Sequence, residues 1–257
     1  MKLLLGSGGL RSEARRAVYF EEMRGHFKGC EEVIFIPYAG DDHADYTSKI
    51  IDFSLPSGVN LRGIETFDDP YDAIAQAQGI YVGGGNTFLL TKSLHENNLI
   101  EIVRKRVHEG MPYMGVSAGA NVACPTMQTT NDMPIVFPPS FETFDLIPFQ
   151  VNAHYHDGNI WLKEGEIFTQ HFGETRAQRI QEFHEHNSQP VLGLWEGVFL
   201  RWNNDTGVIV GGSATVFRAQ SKPETYPEGT VLDSNFCLLY TSPSRRDQRG
   251  SRMPSSA

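Results

Sequence analysis

The sequence has no apolar run near the roughly 20 residues that a bilayer-spanning helix requires. Its opening Met1–Gly6 also lacks a secretory core, since three leucines followed by a glycine-rich turn read as a strand. Cysteine is scarce: Cys30, Cys124 and Cys237 are odd in number and far apart, which supplies neither a disulfide framework nor a CxxC metal pair. Positive charge is short as well. With 22 Lys and Arg against 31 Asp and Glu, the net charge of −9 argues against a grip on nucleic acid or an anionic membrane. Internal repeats and dividing linkers are absent. What is present is an ordinary globular composition, 40% hydrophobic and 21% charged over 257 residues, as expected of a cytoplasmic protein.

From Leu238 onward the character changes. The last 20 residues hold four Arg and one Asp and almost no periodic apolar residues, so this +3 segment leaves −12 for residues 1–237. Such a segment cannot bury a core. It reads as a disordered or non-native basic tail (238–257), and residues 1–237 read as a single α/β domain.

Within that domain, short apolar runs alternate with helical patterns. Strands are expected at Lys2–Leu5, Val33–Pro37, Val59–Ile64, Gly79–Val82 and Tyr113–Val116. Helices are expected from Ser12 to about Phe27, from His43 to about Phe53, over Pro70–Ala77, and from Thr87 through Val107 with a break at Asn97–Asn98. This rhythm predicts βαβ crossovers and a mostly parallel sheet covered on both faces. The second half is less regular, with strands at Val191–Leu194, Gly197–Trp202 and Val208–Val210, the last two paired by a turn at Asn203–Asp205.

Gly115-Val116-Ser117-Ala118-Gly119 follows one of these strands and precedes a run of small helix formers, the context of a G-x-S-x-G nucleophile elbow. Small neighbours clear the approach to Ser117, and the amides at the following helix start face a developing oxyanion. Gly83-Gly84-Gly85-Asn86 also ends a strand and opens a helix. Ligands in open parallel sheets sit outside the carboxyl ends of the strands, so both loops share one edge, with the Gly85 and Ala118 N–H groups as oxyanion donors. The Gly83–Asn86 loop lacks the third glycine of G-x-G-x-x-G and the lysine of a P-loop, which argues against dinucleotide or NTP binding.

A serine nucleophile needs a base, and His154 or His156 is the candidate. On a regular strand both imidazoles would share one face and could chelate zinc. Without HExxH or a cysteine pair, a general base is the stronger reading, and no metal is expected. The orienting carboxylate is either Asp132, 15 residues after the serine, or Glu196, which follows an apolar strand. An acid in either place could equally cap a helix or turn. Further on, Thr175 and Gln178 form a capping box that puts Arg176 at the first helical position, where a cation opposes the macrodipole. A local rule broken in this way points to function, and a guanidinium suits bidentate capture of a carboxylate.

Together these segments resemble serine peptidase family S51, which includes α-aspartyl dipeptidases. The resemblance runs from the first strand to about Phe217. It is densest at Phe35–Gly40, Val82–Phe88, Gly115–Thr126, Thr129–Val136 and Gly173–Arg176. It implies a three-layer α/β/α sandwich similar to class I glutamine amidotransferase domains (flavodoxin-like). The implied activity is cleavage of small Asp–Xaa dipeptides without a cofactor. By motif, Ser117 is then the nucleophile and His154 the base. Asp132 matches the acid usually assigned and Glu196 a rival one. Gly85 and Ala118 match the oxyanion donors, Arg176 the reader of the substrate aspartate, and Asn86 a substrate contact. Rival expectations are a β-aspartyl peptidase of the cyanophycinase kind, an esterase, or a silent ligand-binding module. The segment from His154 to Arg176 is several residues longer than in the family's bacterial members, around Gly158–Gly165, which implies an altered lid or substrate range.

Overall fold

The computed structural model describes residues 1–158, 161–170, 174–234, 236 and 238–241, the last four by backbone alone. The strands are β1 (Lys2–Gly6), β2 (Val33–Ile36), β3 (Leu61–Gly63), β4 (Ile80–Val82), β5 (Tyr113–Val116), β6 (Gln150–Tyr155), β7 (Trp161–Glu164), β8 (Ile167–Gln170), β9 (Val191–Trp195), β10 (Phe199–Asn203), β11 (Thr206–Val210), β12 (Ala214–Phe217), β13 (Glu224–Tyr226), β14 (Thr230–Asp233) and β15 (Leu238–Thr241). The helices are α1 (Glu13–His26), α2 (His43–Ser54), α3 (Pro70–Gln76), α4 (Thr87–Glu96), α5 (Leu99–His108), α6 (Ala118–Asn121) and α7 (Arg176–His186).

Strands β3-β2-β4-β5-β1 lie side by side and all parallel, and β10, β11, β14 and β15 continue the same sheet antiparallel beyond β1. A second sheet, β13-β12-β9-β6, stands apart from it, and β7 and β8 form a separate hairpin. The period-2 alternation of a strand sorts side chains onto two cores. Leu3 and Leu5 of β1 join Ile74, Leu90, Val103 and the inner residues of the second sheet on one face. Leu4 joins Tyr19 and Met23 of α1, with Ile50 and Ile51 of α2, on the other. A third, smaller core (Tyr155, Ile180, Val191, Phe217) seats α7 on the second sheet. Each fully buried leucine contributes about 1.5–3 kcal/mol, so the parallel strands form a stiff base for the loops at their carboxyl ends. The α/β/α layering is the expected one.

Local signals explain the element ends. Ser12, Asp42 and Asp69 cap α1, α2 and α3 with side-chain acceptors. The expected break between α4 and α5 falls at Asn98, whose φ of 54° is left-handed. Asn204 (φ 51°) supplies the left-handed turn that closes the β10–β11 hairpin. One boundary differs from expectation. Leu238–Thr241 pair with β14, so the sheet runs past residue 237. The reason is that an edge strand is held by backbone bonds and β-forming Leu and Tyr, without a periodic apolar pattern. The remainder of the expected tail, 242–257, lies outside the described residues, as do Asn159, Ile160, Gly173 and Cys237. Among the described residues no helix is long and apolar enough to cross a membrane.

Candidate active site

The parallel strands end where the motifs are. Ser117 follows β5 with φ 56° and ψ −111°, a sparsely populated conformation that costs on the order of 1–3 kcal/mol. It is held there by its N–H donating to Gly6 O (2.8 Å), and by its own carbonyl accepting from Ala120 and Asn121. The next residue, Ala118, is buried at the start of α6, and no backbone carbonyl among the described residues accepts its N–H. The same is true of the Gly85 N–H on the neighbouring loop. Gly85 has φ +132°, and a Cβ there would collide with Ala39 O, so only glycine fits.

The imidazole reaches Ser117 through an irregularity. Strand β6 pairs with β9 in register up to Asn152, then a bulge shifts the register before Tyr155, and His154 takes φ 56°. A bulge re-aims a side chain that a regular strand would send elsewhere. The His154 N–H donates to Ser7 Oγ (2.9 Å), Nε2 lies 2.8 Å from Ser117 Oγ, and Nδ1 lies 2.8 Å from Glu196 Oε1. Both ring nitrogens are therefore engaged, one by the serine and one by the carboxylate. His156 falls outside β6 and is exposed, so the shared face of a regular strand is not realised.

Glu196 arrives from the turn after β9, and that turn is tied to the one after β1 by the Gly197 N–H donating to Gly8 O (2.7 Å); Arg15 Nη1 of α1 donates to Gly9 O (3.1 Å). At Gly8 an added Cβ would come 2.8 Å from His154 Cε1, and at Gly9 it would overlap Glu196 Oε2. Ser7, Gly8 and Gly9 thus wall the His154–Glu196 pair. Sequence reading took them only as a turn. The signal was available, because the Gly-rich end of β1 lies at the same sheet edge as the other two loops.

Asp132 does not join this line. Its Oδ2 accepts from Thr87 N (2.8 Å), Thr87 Oγ1 (2.6 Å) and Thr130 Oγ1 (3.0 Å). The carboxylate thereby sits against the first turn of α4, where the helix dipole favours negative charge. Asn86 is committed to the same junction: Oδ1 accepts from Leu89 N (3.1 Å) and Nδ2 donates to Met133 O (2.9 Å). Asp132 and Asn86 brace the loop that carries Gly85.

Arg176 opens α7 behind the expected capping box of Thr175 and Gln178. Among the described residues its guanidinium makes no hydrogen bond or ion pair, whereas its neighbour Arg179 pairs with Glu174 at 3.5 Å. Burial, and then the nearby Arg179, lower the Arg176 pKa, while Asp132 and Glu196 oppose the shift. Arg176 lines a cavity of about 200 Å³ with Asn131, His156, Gly158, Glu174, Thr175 and Arg179. The extended segment ahead of it carries the β7–β8 hairpin, whose Trp161, Leu162, Ile167 and Phe168 face solvent. A larger cavity of about 710 Å³ lies at the amino ends of the strands, lined by Glu31, Glu32 and Asp72 among others, and contains none of these groups. Cys124 is a core residue. Burial pushes its thiol up to about 12, and Sγ accepts from Val151 N at 3.1 Å.

Serine, imidazole and carboxylate in hydrogen-bonded series, beside two amides with no acceptor among the described residues, can perform nucleophilic acyl transfer. The comparisons agree with that chemistry. Peptidase E of Streptomyces coelicolor is 41% identical over 213 residues, covering 82% of this chain and 85% of that protein. A Drosophila melanogaster protein described as a probable alpha-aspartyl dipeptidase is 41% identical over 230 residues, covering 86% of this chain and 91% of its own. In fold, the chain is similar to the crystal structure of a peptidase from an acI-B1 Actinobacterium, with a TM-score of 0.65 at 16% identity, covering 90% of this chain and 96% of that one. Residues 2–210 match peptidase family S51, and the chain belongs to that family.

Proposed function

We propose that this chain is a serine dipeptidase that releases an N-terminal aspartate from Asp–Xaa dipeptides. The observation that carries the reading is the continuous line from Ser117 Oγ through His154 to Glu196, with two 2.8 Å contacts. In this scheme His154 Nε2 takes the Ser117 proton as Oγ attacks the scissile carbonyl. Glu196 holds the Nδ1–H tautomer and stabilises the imidazolium that forms. The Gly85 and Ala118 N–H groups receive the oxyanion, each such donor contributing about 10²–10³-fold in rate. His154 then protonates the leaving amine, and water attacks the acyl-Ser117 ester by the reverse proton path.

Support for aspartate comes from Arg176, a partly buried cation with no hydrogen-bond or ion-pair partner among the described residues, which lines a small cavity and lies within electrostatic reach of Glu196. A β-carboxylate would offset the cost of burying that charge. The names of the relatives point the same way. Asp132 and Asn86 act on this reading as braces of the oxyanion loop. The buried thiol of Cys124 suits a reducing compartment, and the cytosol is the proposed setting.

A panel of Asp–Leu, Ala–Leu, β-aspartyl-Leu and a simple ester tests the proposal. Asp–Leu should be the preferred substrate, and Arg176→Met should lose the preference over Ala–Leu by about 10²-fold or more, as for a charge-assisted contact. Preferential turnover of the β-aspartyl or ester substrate would overturn the aspartyl dipeptidase reading.

A further inference from the structure

His156 has no part in the mechanism above, yet it lies two residues beyond the base and lines the cavity of Arg176. The bulge that turns His154 towards Ser117 also places His156 outside β6, in the exposed stretch before Gly158. We infer that His156 is a second determinant of acidic side-chain recognition, whose charge makes the preference for aspartate stronger in acid than in alkali. This rests on the reading that Arg176 receives the substrate carboxylate.

The charge inventory of the cavity carries the argument. On and just ahead of α7, Arg179 pairs with Glu174 at 3.5 Å, while Arg176 has no ion-pair partner among the described residues. From the segment between α6 and β6 the cavity receives Asn131, which is neutral and donates through Nδ2 to Ala153 O. Asp132 and the turn after β9, with Glu196, add negative charge that acts on Arg176. On its own segment His156 is flanked by His154 and Asp157. Carboxyl groups ordinarily titrate in acid, and guanidinium groups keep their protons through the neutral range. Imidazole alone changes charge between about pH 5 and 8. Arg176, Arg179 and Glu174 line the cavity, and a protonated imidazole at His156 adds one further positive charge to it. His154 serves every substrate alike, so its contribution cancels in a ratio.

The experiment is the ratio of kcat/KM for Asp–Leu to that for Asn–Leu between pH 5.5 and 8.5. The two substrates share shape and an α-amine but differ in side-chain charge. Where Asn–Leu turns over too slowly, its Ki against Asp–Leu replaces the rate. The ratio should fall about fivefold as pH rises, the size expected for one partly exposed charge pair. In His156→Gln the ratio should be flat at the alkaline level, and in His156→Lys flat at the acid level. A flat ratio in the unaltered protein, or a slope that survives His156→Gln, overturns the inference. Arg176→Met distinguishes the underlying reading: if that variant keeps the Asp–Leu preference at every pH, the carboxylate is held elsewhere and the Arg176 assignment itself is wrong.

Discussion

The two sides of the candidate site are built differently. The nucleophile side is local: β5, Ser117 and α6 are consecutive, and the Gly85 loop joins the adjacent parallel strand β4 to α4. The base side is assembled from three distant pieces, the turn after β1, the bulge in β6 and the turn after β9. They are joined by single bonds such as His154 N–H to Ser7 Oγ across 147 residues. Strand-to-helix turns on a buried parallel sheet fix a serine with little choice of direction. An imidazole held on a bulge depends on glycine turns that no nearby sequence specifies.

Substitutions on each side should expose that contrast. Ser117→Ala removes the nucleophile and should lower kcat/KM for Asp–Leu by about 10⁴-fold or more without altering the thermal midpoint by more than a few degrees. Undiminished hydrolysis would sink the nucleophile assignment. Glu196→Gln keeps the shape but misplaces the tautomer, and kcat should drop by about 10²–10⁴-fold. Asp132→Asn should cost kcat about tenfold or less, because it loosens the brace on Thr87 and leaves His154 in place. Should Asp132→Asn prove the more damaging of the two, the roles given to these acids are reversed. Gly9→Ala puts a methyl group where Glu196 Oε2 lies, at a φ of +70°. The displaced carboxylate should reduce kcat by up to about 10²-fold, measured on protein shown folded by circular dichroism. The smallest effect is expected of Thr175→Ala, which removes the cap of α7. It should cost about 1 kcal/mol in denaturant unfolding and raise KM more than it lowers kcat.

The same contrast explains what the sequence made legible. The strands of the parallel half, the α4–α5 break and the Ser117 elbow follow from short-range rules: alternation, capping and small residues at a turn. Arg176 at the head of α7 was readable because Thr175 and Gln178 form a recognisable cap. The choice between His154 and His156 was not, since a regular strand treats both alike and only the bulge between Asn152 and Tyr155 separates them. Nor did chain position separate Asp132 from Glu196. Their difference lies in which partner each carboxylate meets, Thr87 at a helix start or the imidazole, and both meetings are tertiary. Ser7, Gly8 and Gly9 escaped notice because their contacts are with residues roughly 150 to 190 positions away.

Strand β1 sits between β5 and β10, with Leu3 opposite Trp202 on one side and opposite Tyr113 on the other. It is among the first segments synthesised, and its second neighbour, β10, begins at Phe199. During translation the serine elbow can form as soon as β5 and β4 emerge, but Ser7, His154 and Glu196 cannot be brought together until β9 and β10 have left the ribosome. The hydrolytic line is therefore completed late, and nascent chains shorter than about 200 residues carry a nucleophile whose base is not yet held in line. Sequence-distant closure of this kind makes catalytic competence a report on the integrity of nearly the whole fold.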